Sequence, residues 1–432
     1  MLTPEDFLAS RGFTTAAETD RSALISAFMS EMEKGLRGEK SSLMMIPAFV
    51  GVGGRIPAGA TAAVLDAGGT NFRGGIVSIP PAVSEKRNQP MPGTDSEVGE
   101  EDFYAAFAGE VKRLLPKASV KKIGWCFSYP AEATPSLDAK LVRWTKNIKA
   151  PAIVGEYVGE ELLKRLGGGE IAVVNDTVAT LLAAKASEGD KRYSSYIGFI
   201  LGTGTNAAYV EKIANIPKLR GAKEEDGPDS MIINAESGGF DKIATSDFDK
   251  AADAKTGNPG LNIFEKLIAG AYLGQIGLET FKAAAKTGLF SAAASRQISG
   301  MGSLETMDLD NFCASFVKPG RENPLDAAFK DQADAQVAKR LAIPVFERAA
   351  VLTAVHLAAF VIKSGGGTDS SEPVAINADG STYYKTRCIP FSETVERELR
   401  SMLAPRNIHF EIVPRIDDAP MVGAGIAAML RR

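Results

Sequence analysis

Leu65-Asp66-Ala67-Gly68-Gly69-Thr70-Asn71-Phe72-Arg73 is the stretch on which the reading of this chain turns, because it returns in altered form as Gly202-Thr203-Gly204-Thr205-Asn206. Each is a glycine turn between two apolar runs. Ala62 to Asp66 and Gly75 to Ile79 flank the first, and Tyr196 to Leu201 and Ala207 to Glu211 flank the second. Short apolar runs bounded by glycine predict strands, so each stretch predicts a β-hairpin. Glycine lets the backbone approach a ligand closely and aim N–H groups at phosphate oxygens. Threonine adds a hydroxyl donor, and an aspartate at a strand end can hold hydrated magnesium. Taken alone, either turn reads equally well as an ordinary glycine turn beside a solvated charge pair. Two in one chain point to a nucleotide clamped between two related lobes. No Gly-x-x-x-x-Gly-Lys-Ser/Thr sequence occurs, and no Gly-x-Gly-x-x-Gly opens a helix after a strand, so P-loop and Rossmann readings fall away.

Around the turns, strand and helix patterns alternate, which predicts the α/β class. From Asp20 to Leu36 the residues Leu24, Ala27, Phe28, Met32 and Leu36 share a helical face. Ser84 to Val98 is polar, carries two prolines and reads as an exposed connection, and a helical pattern follows from Glu101 to Leu115. Lys121 to Tyr129 reads as a buried strand. Pro151 opens a helix with Val154, Val158, Leu162 and Leu166 inward, stopped by Gly167-Gly168-Gly169. After the strand Ile171 to Val174, Asn175-Asp176-Thr177 caps a helix from Val178 to Lys185. These polar residues therefore sit at the carboxyl end of a strand, where open α/β sheets place ligands. Helices near Phe264 to Leu273 and Leu341 to Lys363 and a strand Pro373 to Ala378 complete the outline.

A chain of 432 residues exceeds what one hydrophobic core usually covers, so two lobes with a cleft are expected. Its 45% hydrophobic and 24% charged residues are ordinary for a globular protein, and a net charge of −4 offers no footprint for nucleic acid or an anionic membrane. Cys126, Cys313 and Cys388 have no CxxC spacing, and His356 and His409 lack the spacing of a metal pair, which fits a reducing cytoplasm and argues against zinc. Leu2-Thr3-Pro4-Glu5-Asp6 reads as a helix start, not as a signal peptide, and the apolar runs look too interrupted to span a bilayer.

The order of further motifs resembles the hexokinase family over nearly the whole chain from about Met32. Met32-Glu33-Lys34-Gly35-Leu36 and Ser42 to Val50 resemble the family's lead-in, followed by the first glycine turn, then Phe127-Ser128-Tyr129-Pro130 with Trp144-Thr145-Lys146. Asn175-Asp176-Thr177-Val178, Gly202 to Tyr209, Ile233-Asn234-Ala235-Glu236, Phe264-Glu265-Lys266 and Ala378-Asp379-Gly380-Ser381-Thr382-Tyr383 follow in the family's sequence. The resemblance implies an actin-like (ribonuclease H-like), two-lobed sugar kinase fold closing over a hexose. It implies ATP and Mg²⁺ as cofactors, and glucose as the foremost substrate. Residues 61–190, completed by the C-terminal helix 421–432, would form the small domain; residues 191–420, with 1–60 packed on them, would form the large one.

On matching positions the resemblance makes Asp176 the base that accepts the sugar hydroxyl proton and has Lys146 offset charge near the transferring oxygen. Ser128, Thr145, Lys146, Asn175, Asn206, Glu236 and Glu265 would surround the sugar. Asp66, Gly68, Gly69, Thr70, Asn71, Arg73, Gly202, Thr203, Gly204, Gly380 and Ser381 would hold the nucleotide, with Asp66 on magnesium through water. Carboxylates and amides each offer two sites to paired hydroxyls, so the set suits a polyol. Singly, each residue also has a plain role: Asp176 as a helix cap, Ser128 in a turn, the Glu and Lys residues as solvated charges. Three departures stand out: Ser237 where the family usually has tryptophan, Tyr129 for a phenylalanine, and Asp417-Asp418-Ala419-Pro420 in place of a serine- and glycine-rich stretch. Other readings are a sugar sensor without transfer, an actin-like or chaperone ATPase, and a kinase preferring fructose or mannose. The expected assembly is a monomer or homodimer.

Overall fold

A computed structural model describes residues 2–54, 56, 58–144, 148–219 and 229–431. Its strands are β1 Ile46–Pro47, β2 Thr61–Ala67, β3 Asn71–Ser78, β4 Ala82–Pro90, β5 Val120–Phe127, β6 Ala131–Ala133 and β7 Ala139–Leu141, then β8 Glu170–Val174, β9 Ser195–Leu201, β10 Thr205–Lys212, β11 Ser230–Asn234, β12 Val374–Asp379 and β13 Phe410–Ile412. One sheet has the order β4-β3-β2-β5-β8 and the other β1-β11-β10-β9-β12-β13, with β6 and β7 paired apart. In the first, β2, β3 and β4 form an antiparallel meander and β5 and β8 run parallel to β2. The second repeats this plan: β9, β10 and β11 are antiparallel, and β12 and β13 run parallel to β9. The echo between the two glycine turns is thus the trace of one topology used twice, in two lobes.

Burial follows from position in each sheet. Central β2 is buried along all but its first residue, as a strand covered on both faces must be. Edge strand β4 is mostly exposed on both faces, and here the structure corrects the expected connection at Ser84 to Val98. Ala-Val-Ser-Glu-Lys-Arg-Asn-Gln-Pro pairs with β3 although it has neither an apolar run nor alternation, because only one edge of it needs a partner and its charges keep the other edge soluble.

The helix Asp176–Ala186 lies between the sheets, with Val178 to Ala184 all buried. The C-terminal helix Ala419–Leu430 packs on it and on β2, β5 and β8. The approach is close: a Cβ on Gly423 would stand 1.8 Å from the Ala179 carbonyl oxygen, so no other residue fits. The helix Arg21–Arg37 buries Phe28, Met32 and Leu36 as expected, with Ile25 beside them; Leu24 and Ala27 lie at the margin. Val154 is another correction: it is exposed, and the helix expected from Pro151 begins only at Val158, after a short 3-10 turn.

The core of the second lobe is threaded by the helix Gln332–Ser364, which starts nine residues before the expected Leu341. Asp331 caps it by accepting N–H groups of Ala333 and Asp334. This helix overturns the expectation that no segment is long and apolar enough for a bilayer. It passes on length and composition, but 89% of its most apolar stretch is buried inside the protein, and the helices Pro4–Ser10 and Arg21–Arg37 lie against it.

Candidate active site

Strand register assembles the first half of the site. In the parallel set Asp66 pairs with Cys126 and Cys126 with Val174, so the three strands end side by side. Two residues beyond this row come Ser128 and Asp176. Asn175 takes the N-cap, its Oδ1 accepting the Thr177 N–H at 2.8 Å, which leaves Asp176 as the first helical residue and not the cap. The Asp176 carboxylate accepts the Thr177 hydroxyl at 3.2 Å, and its charge is felt at Asp66, at Cys126 and across the cleft at Glu236. Cys126 is buried beside Ser128, 3.7 Å from Sγ to Oγ, and burial together with Asp66 and Asp176 pushes its thiol well up, so it sits among the acids as a neutral thiol.

The first glycine turn is closed by Gly68 N–H to the Asn71 carbonyl at 3.1 Å and tied to the strand behind it by Met91 N–H to the Thr70 carbonyl at 3.0 Å. Thr70 and Asn71 are exposed, and Gly69 half-buried. Tyr129, one of the departures, donates its hydroxyl to the Gly68 carbonyl and so pins the turn, which phenylalanine could not do. Arg73 is held by carboxylates: its Nε donates to Asp66 Oδ2 at 3.0 Å, Nη2 donates to the same oxygen, and Nη1 donates to Asp418 Oδ1 at 2.8 Å. Lys86 donates to the other Asp418 oxygen at 2.8 Å. Burial raises the Asp66 carboxyl from its ordinary value against the pull of Arg73. Asp418 thus adds a charge that orients Arg73.

The second turn closes through Gly202 N–H to the Gly204 carbonyl at 2.9 Å. It is clamped from both sides: Gly270 N–H and Thr382 Oγ1 each donate to the Gly202 carbonyl at 2.8 Å, and Ala271 N–H donates to the Thr203 carbonyl at 3.1 Å. Gly202 lies directly against Gly380 and Ser381. Next to it opens a cavity of about 850 Å³ whose wall includes Thr203, Ser381, Thr306, Asp310, Lys385 and Arg387. Arg387 lies 4.0 Å over the Phe316 ring, and Asp310 accepts the backbone N–H groups of Arg387 and Cys388.

Glu236 and Glu265 face this turn from the other side. Glu265 Oε2 accepts the Thr205 N–H at 3.0 Å, while Oε1 receives the Tyr272 hydroxyl at 3.4 Å. Burial, then the Glu265 charge, pushes the Tyr272 phenol up to about 12, so it stays a donor. Glu236 has a left-handed backbone, φ 52° and ψ 48°, and its Oε1 accepts from Asn234 Nδ2 at 2.9 Å. Burial raises its carboxyl above the ordinary value, with Asp176 and Glu265 adding to the rise and Asn234 and Arg143 opposing it. Asn206 lies in the same cluster, bonded to Asn234 and to Ser237. Thr145 and Lys146 lie outside the described residues.

Sequence reasoning missed Arg143 and the far wall of the cavity, and it quoted Asn234 and Asp418 without giving either a role. Asn234 had a signal in its place beside Glu236 in the same quoted segment; Asp310, Phe316 and Arg387 had none, because they come from helices and loops with no local pattern.

A nucleotide fits this arrangement: the second glycine turn, through Thr203, borders a cavity large enough for a nucleoside, with Lys385 and Arg387 at its wall. Among the described residues no group of three or more His, Cys, Asp or Glu side chains is gathered as a protein-only metal site. Asp66, the carboxylate at the strand end beside the first turn, suits magnesium held mainly by water and phosphate oxygens. Carboxylates and amides collected beside two glycine turns have the donor and acceptor groups to orient a polyol and accept its proton.

Two lobes of one repeated topology, with glycine turns and acids at their facing edges, define an actin-like sugar kinase. Solved structures agree: a Schistosoma mansoni hexokinase complexed with glucose superposes with a TM-score of 0.76 at 25% identity, covering 99% of this chain and 98% of that one. Another hexokinase crystal structure gives 0.75 at 24% identity. The hexokinase family models match residues 11–186 and 196–430, and the chain belongs to the hexokinase family of phosphotransferases. Among curated relatives, glucokinase-1 of Kluyveromyces lactis is 32% identical over 83% of this chain and 84% of its own, and hexokinase-2 of Solanum tuberosum 29% over 93% and 86%. Hexokinase-5 of Oryza sativa subsp. japonica is 37% identical over a segment spanning 58% of this chain and 52% of the rice protein, about half its length.

Proposed function

We propose that this protein transfers the terminal phosphoryl group of ATP to a hexose, glucose ahead of fructose or mannose, with Asp176 as the general base. The observation that carries the reading is the position of Asp176 at the end of β8, electrostatically within reach both of Asp66 beside the first phosphate turn and of Glu236 in the polyol cluster. A hydroxyl bound between Glu236, Glu265 and Asn175 would lie against Asp176, and the carboxylate would take its proton as the oxygen attacks phosphorus. Backbone N–H groups of both turns, with Thr70 and Thr203, would hold the phosphates. Mg²⁺, held through Asp66, supplies charge neutralisation on the phosphates when bound.

In this reading the small lobe, 61–190 with the C-terminal helix 421–432, moves against the large lobe 191–420 with residues 1–60. The glucose complex of the Schistosoma mansoni hexokinase supports a hexose as the ligand. An ADP-release assay over a panel of hexoses tests the proposal: turnover with glucose, smaller kcat/KM for fructose and mannose, and none with ATP alone beyond slow hydrolysis are expected. Hexose binding without ADP release would make the protein a sensor, and a fructose preference would move the substrate while leaving the reaction.

A further inference from the structure

Asn206 and Asn234 form a chain of amides whose direction can be read without ambiguity. Asn206 Oδ1 faces the backbone N–H groups of Ala207 at 2.8 Å and Ser237 at 3.1 Å. Backbone N–H groups only donate, so the atom facing them is the oxygen. The Nδ2 of Asn206 therefore donates to Asn234 Oδ1, at 2.7 Å, and this in turn leaves Asn234 Nδ2 as the donor to Glu236 Oε1 at 2.9 Å. Strand pairing builds the relay: Ala208 pairs with Asn234 at the end of the antiparallel ladder, and the Ala235 N–H donates to the Ala207 carbonyl at 3.1 Å, which brings the Asn206 and Asn234 side chains together where the ladder ends. Asn234 is 5% exposed, so water competes little for its amide.

What the relay ends on is unusual in two ways. Glu236 sits in the left-handed region, which a residue with a Cβ adopts only when its surroundings impose it. Its carboxylate is also partly desolvated among the like charges of Asp176 and Glu265, with Arg143 the cation that opposes them. Left alone it would turn away or take up a proton. Asn206 holds the strained Glu236-Ser237 backbone through the Ser237 N–H, with the Ser237 hydroxyl adding a contact at 3.4 Å, and Asn234 holds the carboxylate.

We propose that Asn234 is a positioning residue for hexose binding, directed by Asn206, which holds the Glu236 carboxylate aimed at the sugar. The proposal rests on Glu236 being a sugar contact. Asn206 keeps one amide hydrogen for a sugar hydroxyl, so the relay and a direct contact are compatible.

The test compares Asn234→Ala, Asn206→Ala and the double variant with wild type, using glucose and ATP as probes. Loss of a hydrogen bond to a charged group corresponds to a fall of about ten-fold or more in affinity. Asn234→Ala should therefore raise the glucose KM by about that factor while the ATP KM stays within about two-fold. With its donor gone the Glu236 carboxyl rises further, so the acid limb of glucose binding should move to higher pH. The double variant should be little worse than the worse single one. Unchanged glucose affinity, an equal rise for both substrates, or an unmoved acid limb overturns the relay. Were wild type to phosphorylate no hexose, the proposed function would fall separately, and melting would decide the relay. Losses in Tm that combine sub-additively in the double variant support it, and additive losses overturn it.

Discussion

Glu265 and Thr205 share a hydrogen bond of 3.0 Å, carboxylate oxygen to backbone N–H, which joins the cluster of acids and amides to the second glycine turn. The oxygen lies where a side chain on the neighbouring glycine would be: a Cβ on Gly204 would stand 2.5 Å from Glu265 Oε2. Gly204→Ala must therefore displace either the carboxylate or the turn. We predict that kcat/KM for glucose and for ATP both fall, by about ten-fold or more, the loss expected when a charge-assisted hydrogen bond is broken. Steady-state kinetics with each substrate varied checks this, and an effect confined to one substrate would show that the two sites are not joined here.

His356 gives a prediction on stability. Its ring is fully buried among Phe28, Phe199, Phe264 and Phe360, and neither ring nitrogen has a hydrogen-bond partner among the described residues. Burial holds its pKa down to about 3 against an ordinary value of 6.5. The folded state thus refuses a proton that the unfolded state accepts below about 6.5. The stabilisation is full above that pH and is lost as pH falls towards 3, at up to about 1.4 kcal/mol per pH unit. His356→Leu should melt higher than wild type at pH 5 and flatten the acid slope. Parallel melting curves against pH would contradict this.

Arg348 and Asp249 form a buried two-pronged pair, Nη1 to Oδ2 at 2.8 Å and Nη2 to Oδ1 at 2.7 Å, with Arg348 4.2 Å over the Phe13 ring. Arg348→Met strands the Asp249 charge in the core, and urea unfolding should show a loss of about 3–5 kcal/mol. Adding Asp249→Leu should restore much of it, because the cost is the orphaned charge. A double variant no more stable than the single one would assign the loss to packing instead.

Much of this was legible because local chemistry and global position agree. Gly68-Gly69-Thr70 and Gly202-Thr203-Gly204 are turns whatever surrounds them, and β2, β5, β8 and β9 are apolar runs because both their faces are covered. β4 was illegible for the opposite reason, since an edge strand spends its residues on water. The helix Gln332–Ser364 was read short because its first turns are polar, and buried packing carries it through Pro344. In the site, Asp176, Glu236 and Glu265 could be placed from motifs, whereas Asn234 and Asp418 matter through partners distant in sequence. That Arg73 spends its guanidinium on Asp66 and Asp418 follows from a helix that returns from the far end of the chain.

If the lobes close on the hexose, glucose alone should compact the protein. Solution scattering with and without saturating glucose is expected to show a smaller radius of gyration in its presence. An unchanged radius at a concentration where calorimetry shows saturation would contradict closure by the sugar.

The central claim is that Asp176 takes the proton from the attacking hydroxyl, and kcat of Asp176→Ala tests it most directly. A positioned general base contributes about 10² to 10⁴, so kcat for glucose should fall at least that far. Binding of ATP should persist, because Thr70, Thr203 and both glycine turns are untouched, and melting should remain cooperative, because Asn175 still caps the helix. A folded Asp176→Ala protein that phosphorylates glucose within a few-fold of wild type would contradict the account and send the search for the base elsewhere in the cleft.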